Sequence, residues 1–378
     1  MGHIVNTKEE VYRALAERLN KNPVGTPINE SLMEILYRLY TESEAEVGSK
    51  FHLVPMTINM ISGIIGMKEE PLKKILDDMA EKGLVVDIPR RDDTYYLLTP
   101  MVHGFFEFTF MRARDEVNMR ELAELFSKYF QSPGVGAEIV GGETKIYRTL
   151  VYESIIPAAV ETEVLTYEKA SEIIRQSGGG AIGLCNCRHF ALHLGQPCKI
   201  NAPMEVCTSL GDLGEWVARR GMGKPATVDD LLRVLDQTEK LGLVHICDNV
   251  LNQPAYLCHC CGCCCNALRP AKHGFFFTHP SNFIPALDSE SCIGCGACID
   301  KCHIDAIVMR ESGGGVNVPE VNKQKCLGCG VCASACPSHA LTMSRRLTLH
   351  IPPIDKTEKL IRTAREKGKM DYFKLGPV

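Results

Sequence analysis

Apolar positions recur at helical spacing from the start of the chain. After the capping box T-K-E-E at 7–10, Val11, Ala14, Leu15 and Leu19 share one face, which predicts a helix over 7–20. The turn NPVGTP separates it from a second helix around 28–42. Thr57 stands where a cap opens the short segment INMISGII, Gly66 ends it, and Leu72, Ile75, Leu76 and Met79 line one side of a helix over Glu69–Lys82. Gly83 closes that helix, and VVDIPRRDDTYYLLTP reads as a β-hairpin turning at Arg90–Asp93. An aromatic run, HGFFEFTF, leads into a helix ending near 130, with Phe105, Phe106, Phe108 and Phe110 as core. Residues 131–145, containing GVG and Gly141-Gly142, read as a linker. Strands and helices then alternate: a short strand at 163–165, a helix over 167–175, the strand AIGLCNC, and helices near 210–220 and 227–241. The strands LVHIC (243–247) and AYLCH (255–259) follow.

Helix, turn, helix and a two-stranded ribbon over residues 57–100 resemble a winged-helix domain. Such a fold often binds DNA, but the second helix, KEEPLKKILDDMAEK, carries no Arg, Asn or Gln to read base edges. Residues 28–115 hold about fifteen acids against ten bases, the wrong balance for a phosphate footprint. A docking module is the expected role, with no nucleic acid as partner.

A formal charge of −4 over 378 residues argues against wholesale nucleic-acid or membrane binding. No run is long enough to span a bilayer, and no signal peptide is recognisable, so a cytoplasmic location is expected. Nineteen cysteines in that setting mean metal, not disulfides, and none precedes Cys185.

The strongest pattern is C-x2-C-x2-C-x3-C, which occurs twice: CIGCGACIDKC at Cys292–Cys302 and CLGCGVCASAC at Cys326–Cys336, the second followed by Pro337. This is the run that holds [4Fe-4S] cubanes in bacterial ferredoxins, where the fourth cysteine of each run reaches the other cluster. Cys292, Cys295, Cys298 and Cys336 are therefore assigned to one cluster, and Cys326, Cys329, Cys332 and Cys302 to its partner. Gly294, Gly296, Gly328 and Gly330 let backbone N–H groups approach cluster sulfur, while Ile293, Leu327 and Val331 supply apolar cover. Paired zinc knuckles are the alternative, but they explain neither the repeated x3 step nor the Cys-Pro ending. The first run ends Cys302-His303 where a proline is usual.

A second cysteine system lies upstream. Cys185, Cys187, Cys198 and Cys207 form one group; Cys258, Cys260, Cys261, Cys263, Cys264 and Cys265 form another. Six cysteines in eight residues exceed what packing calls for. One or two further [4Fe-4S] centres are expected, with some thiols left over. A zinc site with spare thiols, or a less ordinary cluster using seven or eight of these cysteines, are the alternatives. Arg188, His189 and His193 could donate to cluster sulfur, and Cys247 reads as core.

The chain resembles a group of anaerobe 4Fe-4S binding proteins, through FFEFTFMR, ETEVLTYEKA, CNCRH…PC…P…C, EKLGLVH and CHCCGCCC as well as the ferredoxin runs. The resemblance implies electron transfer within a larger anaerobic redox system, with a partner redox protein or oxidoreductase subunit. The expected fold is multidomain α+β: a helical, winged-helix-like domain at 1–130, a small Cys-rich α/β middle domain at 131–275, a two-cluster ferredoxin-type domain at 276–345 and a basic tail at 346–378. An iron–sulfur electron-transfer protein is the expected function, with no catalytic residue assigned. The alternatives are a reductase with its own substrate-binding cluster in the middle domain and a redox-sensing DNA-binding regulator.

Overall fold

The computed structural model describes residues 2–158, 164–311 and 317–373. At the front, helices Gly2–Asn20, Glu30–Leu39 and Glu42–Ser49 precede a short strand, Met56–Thr57, and the helices Ile58–Ile65 and Glu69–Lys82. Strands Val85–Pro89 and Thr94–Leu98 follow, and Thr94–Leu98 lies between the other two strands in a three-stranded antiparallel sheet. The caps act as their side chains dictate. Thr57 Oγ1 accepts from Met60 N at 3.4 Å, and Gly66 and Gly83 end their helices at φ 74° and 77°. The first helix runs through Thr7 instead of starting there. The second stops at Leu39 because Tyr40 is extended and Thr41 opens a new helix by a capping box with Glu44.

Leu15, Leu19, Leu32, Leu36, Leu72, Phe105, Phe106, Phe110 and Phe126 share one core. The stretch expected as a linker contains a helix, Val135–Val140, whose Val135 and Ile139 are buried in that same core. Alternating apolar residues among glycines had concealed it.

The middle of the chain is built on a seven-stranded sheet. Its strands lie in the order Thr278–His279, Tyr147–Thr149, Val244–Asp248, Tyr256–Cys260, Glu205–Leu210, Gly180–Leu184 and Gly223–Ala226. Every pairing is antiparallel except that of the first two strands. The sheet is thus larger than the small layer expected, and it draws in Thr278–His279 from beyond residue 275. Of the strand expected at 163–165, Glu163 lies outside the described residues, and Val164 and Leu165 are irregular. Helix Val228–Lys240 opens with the Thr227–Asp230 box, and helix Asn186–His193 starts immediately after Cys185.

The hairpin and the middle domain are locked together. The Asp87 carboxylate, 5 % exposed, accepts hydrogen bonds from Trp216 Nε1 and Arg220 Nε, both at 2.9 Å, and pairs with Arg219. Burial works against that carboxylate, but the hydrogen bonds from Arg220, Arg219 and Trp216 outweigh it and hold its pKa below the usual range.

The ferredoxin region repeats one unit. Strand Phe283–Leu287 pairs with Leu341–Arg345, Ile307–Glu311 pairs with Asn317–Val321, and the short helices Ala297–Asp300 and Val331–Ser334 follow the glycine turns. Helix Lys356–Glu366 then folds back: Lys359 pairs with buried Asp248, and Lys369 Nζ meets Glu138 Oε1 at 2.6 Å.

Candidate metal centres

The two ferredoxin runs wrap two small cavities. One is lined by Cys292, Cys295, Cys298 and Cys336; the other by Cys302, Cys326, Cys329 and Cys332. These are the same two sets of four that the spacing pairs, each taking three thiols from one run and one from the other. Gly294 and Gly328 both sit at φ 67°, Gly296 and Gly330 at 77° and 88°. That positive φ turns an amide inward, Gly328 N donating to Cys326 Sγ at 3.3 Å; after Asp305, itself at φ 54°, Ala306 N donates to Cys302 Sγ at 3.2 Å. A Cβ on Gly328 would stand 2.1 Å from the Phe283 carbonyl oxygen, so the turn has no room for a side chain.

The two cavities differ in setting. Cys295 is exposed and Cys292 half-buried, whereas Cys326 and Cys332 are buried beneath Leu327 and Val331. Ile293, expected as cover, is 63 % exposed. Burial pushes the Cys329 thiol up to about 12, so a thiolate persists there only opposite metal charge. Four thiols, apolar walls and inward amides fit a [4Fe-4S] cluster in each cavity.

The middle cysteines regroup. Strand alternation puts Cys258 and Cys260 on one face, next to Cys207 of the neighbouring strand, with Cys265 and Cys187 beyond them. Hydrogen bonds from Cys207 and Cys260 lower the Cys258 thiol to about 5, and those from Cys187 and Cys260 hold Cys265 low as well. Cys185 stands beside this set, pushed up to about 12 by burial. Cys198 does not join it. That thiol lies 3.7 Å from Cys261 Sγ and 3.6 Å from Cys263 Sγ, with Cys264 completing a group of four. The two groups read from the sequence therefore exchange members, because a strand and the loop that leaves it present their side chains to different sides.

Arg188 lies between the sets. It is 2 % exposed, donates to the carbonyls of Pro203 at 2.9 Å and His259 at 2.7 Å, and its charge acts on both Cys185 and Cys261. The histidines serve elsewhere: His189 Nδ1 donates to Phe110 O at 2.9 Å, and its Nε2 meets His193 Nε2 at 3.0 Å. Cys247 is fully buried among Leu150, Ile174 and Leu257, as core.

A cavity of about 390 Å³ opens where the front domain, the sheet and the C-terminal helix meet, with Cys207 and Cys258 in its wall. Glu107 faces it; burial raises this carboxyl to about 8, against the hydrogen bond from Gly104 N at 2.9 Å. His103 stacks on Tyr256 with ring centroids 4.5 Å apart, and half-buried Lys359 pairs there with buried Asp248. The only signal in the sequence was an acid inside an aromatic run.

Among the described residues, no helix is long and apolar enough to cross a membrane. No curated protein and no solved structure matches the chain. Residues 291–340 match the family model of the 4Fe-4S dicluster domain, so this is an iron–sulfur protein carrying [4Fe-4S] clusters.

Proposed function

We propose that this protein relays single electrons between a partner redox protein and its own interior. Cys292, Cys295, Cys298 and Cys336 would ligate an outer cluster, Cys326, Cys329, Cys332 and Cys302 an inner one, and four of the thiols among Cys185, Cys187, Cys207, Cys258, Cys260 and Cys265 a third. Bound clusters supply reversible one-electron chemistry. The chain excludes water around them, donates amide hydrogens to sulfur and sets the local charge. The observation that carries this reading is a shared apolar core: Cys187, Cys258, Cys260 and Cys265 pack in the same cluster as Cys302, Cys326 and Cys329. Cys298, Cys302, Cys332 and Cys336 share the next one. Exposed Cys295 makes the outer cavity the side from which a partner delivers or collects electrons. An anaerobic, cytoplasmic setting accords with unprotected thiols in this number.

The test is stepwise reduction of the anaerobic full-length protein, followed by electron paramagnetic resonance. Three interacting centres, one of them lost in Cys187→Ser, are expected. Magnetically isolated ferredoxin centres, unchanged by that substitution, would refute the relay.

A second reading, a reductase, is favoured by the cavity at Cys207 and Cys258. Its volume suits a small molecule, and Glu107, held neutral by burial, can release a proton into it. A compound that perturbs the middle centre's spectrum in wild type and not in a cavity-filling Met111→Trp variant would support this reading. The front domain serves best as a winged-helix-like docking module. Its hairpin is engaged by Trp216, Arg219 and Arg220, which counts against a DNA-binding regulator; retention on DNA at low salt would reverse that.

A further inference from the structure

Cys198, Cys261, Cys263 and Cys264 stand apart from the other thiols in one respect, their spacing. Their four sulfur atoms all lie within 4.8 Å of one another, with separations of 3.7, 3.6 and 3.8 Å for the 198–261, 198–263 and 263–264 pairs. A tetrahedron of thiolates around one zinc ion, with Zn–S near 2.3 Å, has an edge of about 3.8 Å. Thiolates on a cubane each bind a different iron at a different corner, so they must stand well farther apart. Among the described residues, neither ferredoxin set nor the set around Cys258 draws three donors so close. A disulfide does not account for the spacing either, because Cys198 is equidistant from two partners and no pair approaches bonding distance, about 2.05 Å.

We propose that these four cysteines hold a single tetrahedral divalent ion, Zn²⁺ or Fe²⁺, separate from every cluster in the chain. Tetrahedral four-sulfur coordination is the geometry such ions take, and a closed set of four leaves no position for substrate. The surroundings suit the charge. Four thiolates on a divalent ion carry a net charge of −2, and the buried guanidinium of Arg188 lies close enough for its charge to act on Cys261. Cys261 and Cys264 are buried, Cys198 and Cys263 half-buried, so the ion closes the loop holding Cys198 onto the Cys-rich turn without being sealed from supply. The role that follows is structural. One ion fixes the turn at 261–264, whose other side receives His303 from the ferredoxin region through Gly262.

The experiment is elemental analysis and acid-labile sulfide on anaerobically prepared full-length protein, wild type against Cys198→Ser. The expected result is loss of about one metal ion per chain with sulfide unchanged. Zinc as the lost metal, or iron lost singly, each supports the site and identifies its occupant. Loss of about four irons together with about four sulfides would overturn it. If Cys198→Ser does not fold, X-ray absorption on wild type decides. A zinc edge with one shell of about four sulfurs near 2.3 Å and no metal neighbour is expected. When zinc is absent, iron in excess of sulfide by about one supports the site, and equal iron and sulfide overturn it. None of these outcomes depends on the relay, which Cys187→Ser tests.

Discussion

The ring of His303 joins the ferredoxin region to the Cys-rich turn at 261–264. Its Nδ1 accepts the backbone N–H of Gly262 at 3.1 Å, and its Nε2 meets the Gly242 carbonyl at 2.6 Å. A carbonyl only accepts, so Nε2 carries the hydrogen and Nδ1 offers its lone pair. His303 follows Cys302, a proposed cluster ligand, at the place where a proline is usual. A proline there has only its backbone nitrogen in the ring and nothing to reach the Cys-rich turn, so the departure from the ferredoxin pattern makes the joint.

His303→Leu should leave the buried amide of Gly262 without a partner. The expected cost is about 1–3 kcal/mol, read as a lower denaturant midpoint with ferredoxin iron retained. Gly262→Ala should be harsher, because its Cβ would lie 2.1 Å from the His303 carbonyl oxygen.

Arg188→Met removes the guanidinium set between the two middle thiol groups. Loss of a buried, paired charge typically costs about 3–5 kcal/mol. Metal analysis should show depletion of the middle sites while the ferredoxin signals persist. Full retention of middle-domain metal would contradict the charge-balancing role given to this residue.

Asp87→Ala would strip the hairpin of its anchor and leave Arg220, whose side chain is 11 % exposed, without its most buried partner. A loss of about 3 kcal/mol is expected. Limited proteolysis should then cut between the hairpin and the helix Gly211–Arg219 faster than in wild type.

Glu107 predicts a pH dependence. Its folded pKa of about 8 lies above the ordinary 4.5, so between those values the folded chain binds a proton that the unfolded chain has released. The stability tied to it is fully present below pH 4.5 and is lost as pH rises through 8, at up to about 1.4 kcal/mol per pH unit. Thermal midpoints from pH 5 to 8.5 should fall less steeply in Glu107→Gln than in wild type.

The ferredoxin region was legible because its spacing is short-range, with only the fourth cysteine of each run crossing to the other. A glycine at fixed offset turns an amide toward the adjacent cysteine, and the pattern occurs twice. The middle cysteines were not, since their grouping depends on strand pairing across the sheet. Cys207 meets Cys258 only because Glu205–Leu210 lies beside Tyr256–Cys260, and Cys198 leaves its sequence neighbours because helix Asn186–His193 intervenes. That helix shows no clean apolar period, so periodicity missed it. The helix Glu42–Ser49 could have been found from its Thr41–Glu44 box. The cavity could not have been, as its walls come from three regions remote in sequence.

The most direct test of the central claim, that this chain wires single electrons through three cubanes, is iron and acid-labile sulfide on protein purified without oxygen. The expected result is about twelve sulfides with at least as many irons per chain. About eight of each would confine the clusters to residues 291–340, and colourless protein holding zinc with no sulfide would contradict the account outright.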